Sequence, residues 1–288
     1  MQNLQNSRAR DEHRRDTSRP TTAGFVSGVR SNKRALLCGV TYNSKKYILR
    51  GTVNDVMKMK GFLIHSFGFP EECIRVLTEF EHGEEFIPTK INIQNCLKWL
   101  VDGCKSGDSL VFYFSGHGLR QPDFKDDEQD GFDETICPVD FMEKGMILDN
   151  DINNYIVKPL KQGVTLHAII DACHSGTVLD LNHIYKHQSG MWKDNKPPSG
   201  VAKGTSGGLA ICLSACEDNE VAADTSAMNG AMTYILMQTV KHHGPNMTYE
   251  NLLKKMTEAI HKANKDRCLT SNVMKKIFRR KIIQHVLA

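Results

Sequence analysis

The chain has 288 residues, 40% of them hydrophobic and 24% charged, which is the length and make-up of a globular protein of one large or two small domains. Neither an apolar run long enough to span a membrane nor an apolar opening segment is present, so membrane insertion and secretion are not supported and a cytoplasmic protein with nuclear access is expected. The net charge of +4 conceals a split: residues 1–34 carry eight Lys or Arg against three acidic residues, residues 254–288 carry ten against two, and the stretch between them is acidic.

In chain order, residues 1–33 read as a disordered basic leader, and order is expected from Arg34, where Ala35 to Val40 makes a short apolar strand. Thr52 is expected to cap a helix with Val53, Val56, Met57, Leu63, Ile64 and Phe67 on one face. A strand fits Ile74 to Thr78. A second helix starts near Thr89, with Ile93, Cys96, Leu97, Leu100 and Val101 along one side, and stops at Gly103. Leu110 to Phe114 is a continuous apolar run, as a strand covered on both faces requires. Ile147 to Leu160 reads as a helix, Thr165 to Ile170 as a strand, and residues 182–208, rich in Gly and Pro, as a flexible connection. Leu209 to Ser214 is a further strand, and helices follow near 230–242 and 249–263. This alternation predicts an α/β fold, a mostly parallel central sheet with helices on both faces.

Nine cysteines without paired C-x-x-C spacing argue against a disulfide framework or a zinc ribbon and predict free thiols. Two apolar strands end in reactive residues: one runs into Ser115-Gly-His117-Gly118, the other into Asp171-Ala-Cys173-His174-Ser175-Gly176. Ligands of open parallel sheets bind at the carboxyl ends of the strands. If these two strands are neighbours, their mouth holds a thiol, an imidazole, a hydroxyl and a carboxylate, a set sufficient for thiol-based acyl transfer. The backbone N–H groups of Gly118 and Cys173 are then candidates for an oxyanion hole. The alternative for each residue alone is structural: a buried small thiol, a hydrogen-bonded core histidine.

The segments Tyr113-Phe-Ser-Gly-His-Gly118 and Asp171-Ala-Cys-His-Ser-Gly176, in that order, resemble the histidine and cysteine motifs of the metacaspases, caspase-like cysteine proteases. The resemblance runs from about Arg34 to Ala263 and is closest to plant members of type I. It implies a caspase-haemoglobinase fold, with the catalytic domain over 34–263, its large-subunit-like part to about 181, the connection at 182–208 and the small-subunit-like part at 209–263. It further implies a monomer that cuts protein substrates after Arg or Lys, is activated by calcium and processes itself, with a role in programmed cell death or stress. By position, His117 and Cys173 are the catalytic dyad, and Asp55, Ser115 and Asp171 line the pocket for the basic side chain. Asp133, Asp149, Asn150 and Asp180 correspond to the calcium ligands; an amide at Asn150 in place of a carboxylate predicts weaker calcium affinity. No nucleic-acid partner is expected.

Three departures from the pattern stand out. Thr52 stands where some members carry Cys, the loop between Asp224 and Gly230 is short, and residues 264–288 form a divergent basic segment whose Val273, Ile277, Ile282, Ile283 and Val286 fit either an amphipathic helix or a substitute strand. The alternative that this departure leaves open is a catalytically weak or inactive pseudo-protease acting as a binding module. Lys186, Lys193, Lys196 and Lys203 in the connection are the candidate points of self-cleavage.

Overall fold

A computed structural model describes residues 31–43, 46–125, 128–186, 190–197, 199–215, 231–265 and 286–287. Residues 1–30 of the basic leader, the loop between Asp224 and Gly230 and most of the divergent C-terminal segment lie outside the described residues, while Lys33, read as the end of the leader, is already the first residue of a strand. Five parallel strands run from one edge of an eight-stranded sheet: β1 (Lys33–Gly39), β2 (Ile74–Leu77), β3 (Ser109–Ser115), β7 (Thr165–Asp171) and β10 (Leu209–Ser214), in the spatial order β2-β1-β3-β7-β10. A second sheet of three antiparallel strands, β4 (Gly118–Pro122), β5 (Phe132–Ile136) and β6 (Ile147–Leu148), is built from the acidic stretch that follows His117.

Alternation along the central strands divides the core between the two sheet faces. Leu36, Cys38, Leu110, Phe112, Phe114, Leu166, Ala168 and Ile170 belong to one cluster, completed by Ile93, Cys96, Leu97, Leu100 and Val101 of α2 (Lys90–Val101). Ala35, Leu37, Val111, Tyr113 and Ile169 belong to the other, with α1 (Thr52–Phe67), α5 (Ala231–His243) and α6 (Tyr249–Lys265) above them. Burial of a single Leu or Phe in such a cluster is worth about 1.5–3 kcal/mol, and β1, β3 and β7 contribute side chains to both clusters. Both motif loops hang from two of them.

The predicted α2 face is buried throughout, and Thr89 caps it by accepting a hydrogen bond from the Asn92 N–H at 3.3 Å. Helix α1 differs: Gly51 takes the cap position, Thr52 is its first residue and lies against Thr41, and Met59, not Met57, joins the core. At Gly39 a side chain has no room, since a Cβ there would meet Val56 Cγ2 at 2.7 Å; the missing side chain lets α1 pack tightly on the end of β1. The stretch read as one helix from Ile147 to Leu160 is instead β6, a single turn α4 (Asp149–Ile152) and a wider turn over Asn153–Val157, because Asp149 and Asn150 turn inward to bond backbone and side-chain partners. The connection 182–208 is more ordered than its composition predicts. It carries the hairpin β8 (His183–Lys186) and β9 (Met191–Asp194), and β11 (Val286–Leu287) lies antiparallel between β10 and β8, so these two residues take the strand option left open for the C-terminal segment.

Candidate active site

Strands β3 and β7 are direct parallel neighbours, in a register that sets Ser115 opposite Asp171. His117 and Cys173 each follow two residues later, so both leave the sheet at its carboxyl end and on the same side of the molecule. Gly118 packs on the Cys173 carbonyl so closely that a Cβ would overlap the oxygen, which binds the two motif loops to one another. Among the described cysteines, Cys173 alone is not fully buried.

The imidazole of His117 is fixed from two sides. Its Nε2 lies 2.8 Å from the Tyr47 carbonyl oxygen, which can only accept; Nε2 therefore carries the hydrogen and Nδ1 is the basic nitrogen of the neutral ring. Its backbone N–H donates to the Tyr42 hydroxyl at 2.9 Å, and that hydroxyl donates to the Cys137 carbonyl at 2.6 Å. Burial lowers the imidazole below its ordinary 6.5 against the opposing pull of the Tyr47 carbonyl, so the ring is neutral at neutral pH. Tyr42, His174 and Asp180 are the non-glycine residues with left-handed backbone, at φ of 54°, 47° and 53° among the described residues. Such conformations cost about 1–3 kcal/mol each and persist where surrounding contacts enforce them. All three flank this mouth or the loop that leaves it.

Beneath the mouth lies a carboxylate pair. Asp55 reaches in from the first turn of α1, and Asp171 from the end of β7; burial, followed by repulsion from Asp171, pushes Asp55 up to about 6, with Lys58 pulling weakly the other way. Asp55 Oδ2 is buried without a hydrogen-bond partner. Asp171 Oδ2 accepts from the Thr233 hydroxyl at 2.7 Å and the Thr233 N–H at 3.2 Å, while the Tyr113 hydroxyl lies 3.0 Å from Thr233 Oγ1 and supplies its hydrogen to it. Ser115 is fully buried between these groups. An anionic pocket whose inner oxygen lacks a donor is suited to a guanidinium or ammonium group, which brings its own hydrogens.

Residues 33–182 match the metacaspase, peptidase C14 domain. The chain belongs to the metacaspase family of cysteine peptidases. It is 47% identical over 242 residues to metacaspase-1 of Arabidopsis thaliana, covering 81% of this chain and 66% of that protein, and 48% identical over 241 residues to metacaspase-2 of the same plant, covering 81% and 57%. Metacaspase-1 of Eremothecium gossypii is 36% identical over 273 residues, covering 78% and 60%. The chain thus matches two thirds or less of the length of these relatives. A crystal structure of a Geobacter sulfurreducens protein shares the fold, with a TM-score of 0.54 at 20% identity over 79% of this chain and 88% of that one.

In this metacaspase the second acidic cluster lies beside the loop that leaves Cys173. Oxygens of Glu128, Asp133 and Asp149 lie within 4.8 Å of one another, all three residues buried. Asp149 is raised well above the ordinary carboxylate range by burial and then by the charges of Asp180, Glu128 and Glu134. Its two oxygens accept the N–H groups of Glu134 at 2.8 Å and Asn150 at 2.6 Å. This oxygen-only set of crowded carboxylates fits a hard divalent cation such as Ca²⁺. Asn150 meets the cluster differently from the expectation, turning its amide Nδ2 onto Asp133 Oδ1 at 3.3 Å, and Asp180 is paired with the ammonium of Lys203. Glu128, which is not among the positions that the resemblance points to, belongs to the cluster. The cluster is tied to the catalytic-side loop by Thr177, whose hydroxyl donates to Glu134 Oε2 at 2.5 Å.

Sequence reasoning passed over Tyr42, Tyr47, Thr233 and the partnership of Lys203. Thr233 stands in the Gly230-Ala-Met-Thr233 segment that resembles the family, but nothing in its neighbours announced a bond to Asp171. Lys203, taken as a candidate cleavage point, is 1% exposed and therefore closed to a protease in this state, whereas Lys193 and Lys196 are exposed. No described helix is long and apolar enough to cross a membrane.

Proposed function

We propose that this type I, plant-like metacaspase is an endopeptidase that cleaves after Arg or Lys and is activated by calcium. The observation that carries the reading is the buried Asp55–Asp171 pair, with an unpartnered Asp55 oxygen, beneath the one accessible described thiol. His117 Nδ1 takes the proton from Cys173, whose sulfur attacks the scissile carbonyl carbon. The N–H groups of Gly118 and Cys173 receive the developing oxyanion. As the C–N bond breaks, His117 returns the proton to the departing amine, and water then cleaves the thioester under the same base, releasing the acid and restoring the thiol.

Glu128, Asp133, Asp149 and Asp180 would hold the calcium ion, whose contribution is to neutralise their mutual repulsion. The amide at Asn150 adds no charge to these four carboxylates, so the affinity is lower than a further carboxylate at that position would give. Self-processing falls on the exposed Lys193 and Lys196 in this reading, and the biological role is cell death or stress response. The test is hydrolysis of fluorogenic peptides ending in Arg, Lys or Asp, with and without Ca²⁺, with Cys173→Ala as control. Calcium-dependent release from the Arg and Lys peptides alone is expected. Folded protein that turns over none of them would favour a binding module.

A further inference from the structure

The acidic cluster already holds a cation that belongs to the chain. Lys203 is buried at 1% exposure, and its ammonium contacts Glu128 Oε1 at 2.5 Å and Asp180 Oδ1. Two carboxylate contacts at a side chain this deeply buried are the arrangement an ammonium needs once it leaves water. Burying an ammonium is costly unless carboxylates surround it. Here they do, and they are carboxylates of the same cluster in which Glu128, Asp133 and Asp149 converge.

The backbone around Lys203 is tied to the loop that leaves Cys173. Asn153 Nδ2 donates to the Lys203 carbonyl at 2.9 Å and to those of Leu179 and Asp180 at 3.0 Å each. One side-chain amide thus clamps the Lys203 segment to residues a few positions after the nucleophile, and Asp180, in its left-handed conformation, is held by both the clamp and the ammonium.

We propose that Lys203 is a tethered cation that fills the acidic cluster when no divalent ion is bound, and that a divalent ion enters by displacing it. This rests on the reading of the cluster as a divalent-ion site. A single ammonium satisfies Glu128 and Asp180 but brings one charge to a cluster of several carboxylates. A divalent ion coordinated by oxygens takes the same ligands with twice the charge, and the two cannot share Glu128 and Asp180 at contact distance without repelling. Displacement frees the Lys203 side chain and loosens the segment around it, exposing a lysine in the connection only when the ion is present. The intrinsic ammonium also sets a threshold, since the ion must outcompete it.

The test uses the full chain carrying Cys173→Ala, so that no self-cleavage intervenes. Acylation of Lys203 by acetic anhydride, followed by mass spectrometry, is expected to be low without Ca²⁺ and to rise at least about fivefold with it; no rise, although calorimetry shows Ca²⁺ binding, overturns the proposal and leaves the metal site standing. Calorimetry on Lys203→Met is expected to show Ca²⁺ bound about tenfold or more tightly than by the unsubstituted lysine. Equal or weaker binding by a folded variant overturns displacement. Absence of Ca²⁺ binding to both chains removes the metal reading and the proposal with it. Because Lys203→Met leaves its carboxylates unpaired and threatens folding, the acylation measurement on the chain with Lys203 in place decides the matter independently.

Discussion

The Thr233 hydroxyl donates to Asp171 Oδ2 at 2.7 Å, tying the first turn of α5 to the end of the strand that carries Cys173 two residues later. A hydrogen bond to a charged group contributes about 1.5–3 kcal/mol. Thr233→Val removes that bond and retains the shape, leaving the backbone N–H at position 233, 3.2 Å away, to hold Asp171 Oδ2 from this side. A rise in KM for Arg peptides of about tenfold or more, with kcat changed less, is the expected result. Thr233→Ser, which restores the hydroxyl, should recover most of the loss, and steady-state kinetics on the three chains measures it.

Burial and Asp171 push Asp55 up to about 6, so acidification below that value neutralises the carboxylate that the proposed function assigns to the basic side chain. The KM for an Arg peptide is expected to rise as pH falls below about 6, and Asp55→Asn to remove that dependence while raising KM throughout. Stability moves the other way. The folded value lies above the ordinary 3.8, so the protonated form favours folding and that contribution is lost as pH rises through about 6. Asp55→Asn should therefore be more stable at neutral pH, by about 1–3 kcal/mol. Thermal unfolding across pH 4 to 8 checks the sign.

Gly118 has no space for a side chain beside the Cys173 carbonyl. Gly118→Ala must push the two motif loops apart, and a displacement of about 1 Å at a reacting centre costs about 100-fold in rate. The expected loss is of that order in kcat/KM, with the central sheet intact by circular dichroism.

Far from the site, His167 on β7 meets the Tyr249 hydroxyl of α6 through Nδ1. Burial holds the imidazole down to about 4. A histidine lowered in the folded state stabilises above its unfolded value of 6.5, and the contribution is lost as pH falls through about 4. Stability is expected to decline over that window by about 2–3 kcal/mol. His167→Leu should flatten the decline, as denaturant unfolding at pH 7, 5.5 and 4 would measure.

The contrast between what was and was not legible has physical causes. The buried face of α2, from Ile93 to Val101, and the apolar runs of β3, β7 and β10 follow from periodicity because apolar burial alone decides them. The segment from Ile147 to Leu160 does not, since Asp149, Asn150 and Asn153 are turned inward by partners on β5, Leu179 and Lys203 that lie far away in the chain. The same holds for the connection: its glycines and prolines suggested a loop, but β8 is paired by β9 and β11, and Lys203 is buried by carboxylates that no local pattern reveals. His117, Cys173 and Asp171 were readable as polar residues at or just after the ends of apolar strands, whereas Asp55 was reached only through the resemblance to the family. Their supports Tyr42, Tyr47 and Thr233 were not, because each acts through a contact between residues distant in the chain.

The central claim is that Cys173 is the acyl acceptor for substrates presenting Arg or Lys. Incubation of the full chain with a peptidyl-arginine chloromethyl ketone and, separately, with its aspartate counterpart, each with and without Ca²⁺, followed by peptide mapping, tests it most directly. The account predicts one adduct, on the Cys173 sulfur, formed with the arginine reagent in the presence of Ca²⁺ and suppressed by Asp55→Asn. Equal labelling by the aspartate reagent, or an adduct on another cysteine with Cys173 unmodified, would contradict it.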